Sequence, residues 1–207
     1  MKLKTIQEPI HTEIEVKKSK FIAYLFPIQS EEEAKQYIQQ LKKEHFKARH
    51  HCSAYRLDGD FIIEHSSDDG EPSGTAGRPM LDVLRYQEVT NVLAVVVRYF
   101  GGIKLGTGGL ARAYGDAVRT AFEQAILVEK VEQQHFTVTL PYDQYDRLIY
   151  FLDQHHYHYE NVQYSDVITL DIYSDLSVAQ EVVHTIESTF HQLTLKKGQQ
   201  REIYRPL

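Results

Sequence analysis

An α+β fold in two domains is what this sequence predicts, on three observations. A continuous apolar run, VLAVVV at residues 92–97, leads into a glycine-rich turn and then a strongly amphipathic helix pattern. After about residue 130 the pattern starts afresh and reads strand, helix, strand, strand, helix, strand, the βαββαβ order of a ferredoxin-like domain. The charge changes at the same place. Residues 1–130 hold 18 Lys+Arg and 18 Asp+Glu, residues 131–207 hold 5 against 11, and the net charge of −6 therefore lies entirely in the second part. The reading divides the chain into domains 1–130 and 131–207.

In the first domain, residues 21–28 (FIAYLFPI) are short, apolar and aromatic, a strand pattern. Ser30 with Glu33 three positions on fits a capping box, and Ala34, Ile38, Leu41 and His45 recur at helical spacing. Glutamates 31–33 open this helix and Lys42, Lys43 and Lys47 close it, as the helix dipole favours. Residues 50–57 and 61–64 read as strands joined by an Asp58-Gly59 hairpin turn. SSDDGEPSGTAGR, residues 66–78, is loop chemistry, and Pro79 suits the first position of a short helix. Residues 91–100 read as a central strand buried on both faces. From residue 110 to 125 a stripe of Leu110, Tyr114, Ala117, Ala121 and Ala125 faces inward, with Arg112, Asp116, Arg119 and Glu123 opposite.

In the second domain residues 133–140 alternate as a strand until Pro141 ends it. A helix over 142–155 follows, through Tyr145, Leu148, Ile149 and Leu152. Strands at 157–163 and 167–173 come next. A helix over 177–190 turns Ala179, Val183, Ile186 and Phe190 inward, and residues 199–204 form the last strand.

Composition bounds the function. At 42% hydrophobic and 25% charged residues the chain is ordinary globular protein. No apolar run approaches the ~18–20 residues of a membrane span, and the first 20 residues lack the apolar centre of a signal peptide. The single cysteine, Cys52, excludes an internal disulfide. The expectation is a soluble cytoplasmic protein with no membrane partner. The acidic second domain repels a phosphate backbone and suits a basic protein surface, so a nucleic-acid partner belongs to the first domain.

Gly101, Gly102, Gly106, Gly108 and Gly109 lie between the buried strand and the helix. Backbone N–H groups at a helix start hold anions, with Lys104 and Arg112 adding charge. The same glycines also serve a tight turn, and both readings stay open. Neither G-x-x-x-x-G-K-[ST] nor G-x-G-x-x-G is present. Asp68, Asp69 and Glu71 are close enough in sequence to share a hard cation such as Mg²⁺, although the stretch is equally good turn chemistry. No other metal site or cofactor is expected. Cys52 beside His50 reads as core filling rather than a nucleophile pair, and His155, His156 and His158 match no zinc spacing. Tyr99 and Phe100 either stack on bases or cap the core.

Four stretches carry a resemblance to a known family. Residues 98–110 (RYFGGIKLGTGGL) resemble the signature of the YigZ/IMPACT family, in its bacterial two-domain type. SKFIA at 19–23, HHCSAY at 50–55 and DDGEPSGTAG at 68–77 agree in order and separation. The resemblance implies a ribosomal S5 domain-2-like fold for residues 1–130, a sheet with helices mainly on one face. It implies a ferredoxin-like second domain similar to one near the end of elongation factor G. It also implies a translation-linked or RNA-linked role without settled catalytic residues. Eukaryotic relatives regulate translation through the activator of an eIF2-alpha kinase by way of a different N-terminal domain, so that interaction is not carried over.

The first functional reading is accordingly a factor that touches RNA or the ribosome through Arg78, Arg98, Lys104, Arg112 and the glycine-loop amides. The alternative is an enzyme or sensor for a small phosphorylated metabolite or nucleotide, with Mg²⁺ on the acidic loop. A third is a protein-interaction module working through the acidic domain.

Overall fold

The computed structural model describes residues 3–207. They fall into two compact units, one of residues up to Glu129 with Arg205–Leu207, the other Lys130–Tyr204.

Unit 1 contains β1 (Leu3–Ile6), β2 (Ile10–Val16), β3 (Ser19–Pro27), α1 (Glu31–Glu44), β4 (His50–Leu57), β5 (Ile63–Ser67), α2 (Gly77–Tyr86), β6 (Val92–Tyr99) and α3 (Thr107–Gln124). Its sheet runs β2-β3-β6-β4-β5, antiparallel at every step. β6 is central, and every residue from Val92 to Arg98 is buried. Val92, Ala94 and Val96 pack with Tyr114, Val118 and Leu84 under α2 and α3. Leu93, Val95 and Val97 pack with Ala34 and Leu41 of α1 on the opposite face. The helices therefore divide two against one. A strand buried on both faces must be apolar at every position, which is why VLAVVV does not alternate.

The Ser30 cap forms as the sequence suggests, its Oγ accepting the Glu33 N–H at 3.2 Å, but the reciprocal bond of the box is displaced by one residue: Glu33 Oε2 accepts from the Gln29 N–H, at 2.5 Å, and not from that of Ser30. Three boundaries differ. Leu57 pairs with Ile63, so Asp58-Gly59 belongs to a five-residue connection, and Phe61 is 86% exposed instead of lying in a strand. Residues 58–62 are anchored instead by the Asp58 N–H, which donates to Asn91 Oδ1 at 2.8 Å. α2 begins at Gly77, which puts Pro79 third rather than first; there too its missing N–H is not needed. α3 begins at Thr107, three residues earlier than its apolar stripe indicates.

Unit 2 contains β7 (Leu127–Leu140, entering from unit 1), α4 (Tyr145–Gln154), β8 (His158–Tyr164), β9 (Ile168–Asp175), α5 (Ala179–Thr189) and β10 (Thr194–Pro206). Within unit 2 the strand order is β10-β7-β9-β8, so its first and last strands are neighbours; β1 also pairs with β7. Phe136, Val138 and Leu140 of β7 and Ile168, Leu170 and Ile172 of β9 meet Leu148, Leu152, Val182 and Ile186 of the helices. Along α5 and its C-cap Ala179, Ile186 and Phe190 turn inward as the spacing predicts, while Val182 takes the fully buried place and Val183 packs at the edge of the core, since both fall on the same broad helix face. None of the described helices is long and apolar enough to cross a membrane.

Candidate functional site

The four sequence stretches singled out above meet at one end of the unit 1 sheet. β3 and β6 pair with Lys20 opposite Tyr99, and β4 and β6 pair with His50 opposite Arg98. The glycine loop leaves the end of β6 there and crosses the β2–β3 turn. Gly101 sits so close to that turn that a Cβ would lie 1.9 Å from the Lys18 carbonyl oxygen. Its N–H donates to Ser19 Oγ at 3.1 Å, and Ser19 is fully buried. Lys17 and Lys18 turn the chain with positive φ values of 46° and 62°. The loop's contact with this turn places Lys17 and Lys18 beside the glycines, a neighbour the sequence reading missed because it comes from the pairing of β3 with β6 across about 80 residues.

The acidic loop is tied down on the same side. Asp68 accepts N–H bonds from Gly74 at 2.7 Å, Ala76 at 3.0 Å and Gly77 at 2.9 Å. α2 has no side-chain cap of its own, and Asp68 supplies one from eight or nine residues away. Burial alone would raise the Asp68 carboxyl, but the three N–H donors outweigh it and hold it below the ordinary carboxylate value. Asp69 accepts from the His51 N–H at 2.7 Å and from Lys42 Nζ at 2.8 Å. Burial raises its pKa too, and the Lys42 and His51 donors bring it below the usual range. Glu71, with a side chain only 4% exposed, accepts from Arg98 Nη1 and the Tyr114 hydroxyl, both at 2.7 Å. The three carboxylates therefore face three separate sets of protein donors. Among the described residues no group of three or more His, Cys, Asp or Glu side chains is arranged to hold a metal.

The predicted basic residues do not form one cluster. Arg98 is buried and faces inward to Glu71, with its guanidinium carbon 5.4 Å from the Phe21 ring centre and 5.5 Å from that of Phe100. A desolvated guanidinium held this way ties the end of β6 to the acidic loop. Arg78 is exposed on α2 and paired with Asp82 at 3.1 Å. Arg112 is exposed on α3 and lines a concavity of about 420 Å³ against Pro79, Asp82 and Tyr86 of α2. Lys104 is exposed in the glycine loop and makes no ion pair among the described residues.

Gly102 and Gly106 have φ of 87° and 76°, so the turn itself needs both. Gly108 differs: a Cβ there would meet nothing within 4 Å. Gly106 caps α3 without a side chain, and the first intrahelical bond comes from the Leu110 N–H to the Gly106 carbonyl at 2.9 Å. The N–H groups of Thr107, Gly108 and Gly109 thus open the helix without a protein acceptor among the described residues.

Beside the loop lies a groove of about 430 Å³ lined by Lys18, Lys20, Ile22, His45, Tyr99 and Phe100. Phe100 is 56% exposed. His45 joins two tyrosines, with Tyr24 Oη 2.7 Å from Nε2 and Tyr99 Oη 2.9 Å from Nδ1, which fixes the groove floor. Lys20 pairs with Glu13 across β2 and β3 at 2.9 Å, a surface pair easily exchanged for another anion. Cys52, by contrast, is buried, donates to the Asp68 carbonyl at 3.0 Å, and burial pushes its thiol up to about 12. It stays a neutral core residue at neutral pH.

Residues 17–122 match the sequence profile described as the Impact N-terminal domain, and residues 138–191 match a domain of unknown function, DUF1949. The chain is 39% identical over 169 residues to IMPACT family member YvyE of Bacillus subtilis (strain 168), which covers 82% of this chain and 78% of that protein. It is 43% identical over 138 residues to IMPACT family member YigZ of Escherichia coli (strain K12), covering 66% and 68%. A crystal structure described as that of a hypothetical protein is 34% identical and covers 96% of this chain and 98% of its own, with a TM-score of 0.62.

Proposed function

The chain belongs to the IMPACT family, and from that premise we propose that it is a cytoplasmic, translation-linked factor whose unit 1 binds single-stranded RNA. The observation that carries the reading is the groove of Lys18, Lys20, Tyr99 and Phe100 beside the uncapped start of α3. An exposed aromatic ring offers a stacking surface to any unpaired base, and flanking lysines track phosphates. The open N–H groups of Thr107 to Gly109, with Lys104, suit a phosphate at the loop. Arg98 and Glu71 hold Phe100 and the acidic loop in place from beneath.

A small phosphorylated metabolite is the competing occupant, favoured by those same N–H groups. The engagement of Asp68, Asp69 and Glu71 by protein donors supports RNA over a Mg²⁺-dependent phosphoryl reaction.

Filter binding of a single-stranded oligoribonucleotide to the full chain tests the reading. Retention at low salt is expected, with Phe100→Ala weakening it by about 5- to 150-fold, the worth of ~1–3 kcal/mol per stacked base. Lys104→Ala weakens it as well. Retention that ignores both substitutions, or none at low salt, overturns the proposal. A rise in melting temperature with ATP–Mg²⁺ and none with RNA installs the competitor. Co-sedimentation with ribosomes then separates a ribosomal partner from free RNA.

A further inference from the structure

We propose that unit 2 carries a separate site for a small carboxylate with an apolar body and one hydrogen-bond donor, in the cleft between α5 and the β7–β10 pair. The strand pattern marks it first. On β7 the residues facing the helices are Gln134, Phe136, Val138 and Leu140; on β9 they are Ile168, Leu170, Ile172 and Ser174. Both series turn polar at the same end, and the antiparallel register places Gln134 directly opposite Ser174. Two polar residues at adjacent core-facing positions have no packing reason to be there.

Each carries a buried side-chain oxygen that has no hydrogen-bond partner among the described residues. Gln134 is 1% exposed and Ser174 3%. The Gln134 amide is oriented by its own donors, since Nε2 donates to the His135 carbonyl at 3.0 Å and the Gly198 carbonyl at 2.8 Å. Its Oε1 is left without a donor, and Ser174 Oγ has no partner either. Buried acceptors are ordinarily paired, so an unpaired one at the wall of a cleft marks where a ligand donates.

The cleft supplies the rest. It encloses about 320 Å³, at the lower end of the ~300–1,000 Å³ range of small-molecule pockets. Phe136, Leu176 and Val183 form its apolar wall, Gln134 also lines it, and Lys197 on β10 contributes an exposed ammonium with no carboxylate partner among the described residues. A ligand donor bonded to Gln134 Oε1, an apolar body against Phe136 and Leu176, and a carboxylate on Lys197 satisfy the three kinds of group that line the cleft; Ser174, beside Gln134 in the sheet, does not line it. Every residue of the site lies within unit 2, so it stands or falls apart from the RNA groove.

N-acetyl-L-phenylalanine has the three features and serves as the probe. Titrated into the full ¹⁵N-labelled chain, it is expected to give saturable shifts centred on the amides of Gln134, Phe136, Ser177 and Gln180, saturating below about 10 mM. Lys197→Ala, a surface change, weakens binding by about fivefold or more, and so does replacing the probe by its methyl ester. Gln134→Met weakens it again, read alongside a thermal melt; if that variant does not fold, Lys197→Ala and the ester carry the test. Shifts that do not saturate or that scatter over both units overturn the proposal. So does equal affinity for acid and ester.

Discussion

Gly101 and Gly108 share one loop and have opposite reasons for being glycine. A Cβ on Gly101 would strike the Lys18 backbone at 1.9 Å, and backbone at a hairpin turn cannot yield as a side-chain tip can. Gly101→Ala is expected to lower stability by at least about 1–3 kcal/mol, the usual cost of overpacking, read as a fall in the urea midpoint. A Cβ on Gly108 meets nothing, and alanine is the better helix former by up to ~1 kcal/mol. Gly108→Ala is therefore expected to leave the midpoint unchanged or raised while weakening oligoribonucleotide retention, because the methyl would stand where the proposed phosphate approaches the amides. Unchanged retention with unchanged stability would show that this glycine has no part in binding. In the sequence the two positions look alike. What separates them is a contact with a turn some 80 residues earlier, and only the fold supplies it.

At the scale of elements, the acidic loop shows how a polar stretch becomes a rigid part. Its turn composition was readable, but its partners were not. The Asp68 carboxylate caps α2 from across the loop, so the helix starts at Gly77 although no capping residue precedes it. VLAVVV and the stripe of α3 were legible because an unbroken apolar run and a helical period each report burial directly. The inward turn of Arg98 toward Glu71 was not, because a strand-end arginine looks the same whether it faces water or a buried carboxylate. The pH dependence follows. Asp68 and Asp69 have folded pKa values below the ordinary 3.8, so the stability they confer is full above that value and is lost as pH falls through the lower folded one. His51 acts in the same direction: burial lowers its pKa, it folds neutral, and stability begins to fall as pH drops below the ordinary 6.5. Asp68→Asn keeps an acceptor oxygen but no charge. Its urea midpoint at pH 7 is expected to be lower by the equivalent of about 1–3 kcal/mol, with a flatter decline below pH 4 than the parent. Parallel declines in parent and variant would mean that Asp68 is not a source of the acid sensitivity.

For the whole molecule, the charge division sets how any nucleic acid is met. Residues 1–130 are neutral in sum, and the −6 of residues 131–207 repels phosphate at long range. Affinity must then come from a few local cations, and the groove offers Lys18 and Lys20, with Lys104 in the adjoining loop. Three neutralised phosphates on a single strand give a slope of log affinity against log salt of about −2, since each contributes about −0.7. Each lysine changed to alanine is expected to reduce the slope by about 0.7, whereas Phe100→Ala lowers affinity at every salt concentration and leaves the slope alone. This pattern separates stacking from phosphate contact in one set of titrations. A slope near −5 would require cations outside the groove, with Arg112 and Arg119 on the α2–α3 concavity next in line. A slope near zero would remove phosphate recognition from unit 1 altogether. The acidic residues of unit 2 sharpen the reading: their repulsion is screened as salt rises, so the low-salt end of the plot should bend toward weaker binding than the lysines alone would give. Neutralising exposed carboxylates such as Asp146 and Asp153 should straighten it without changing the slope at high salt.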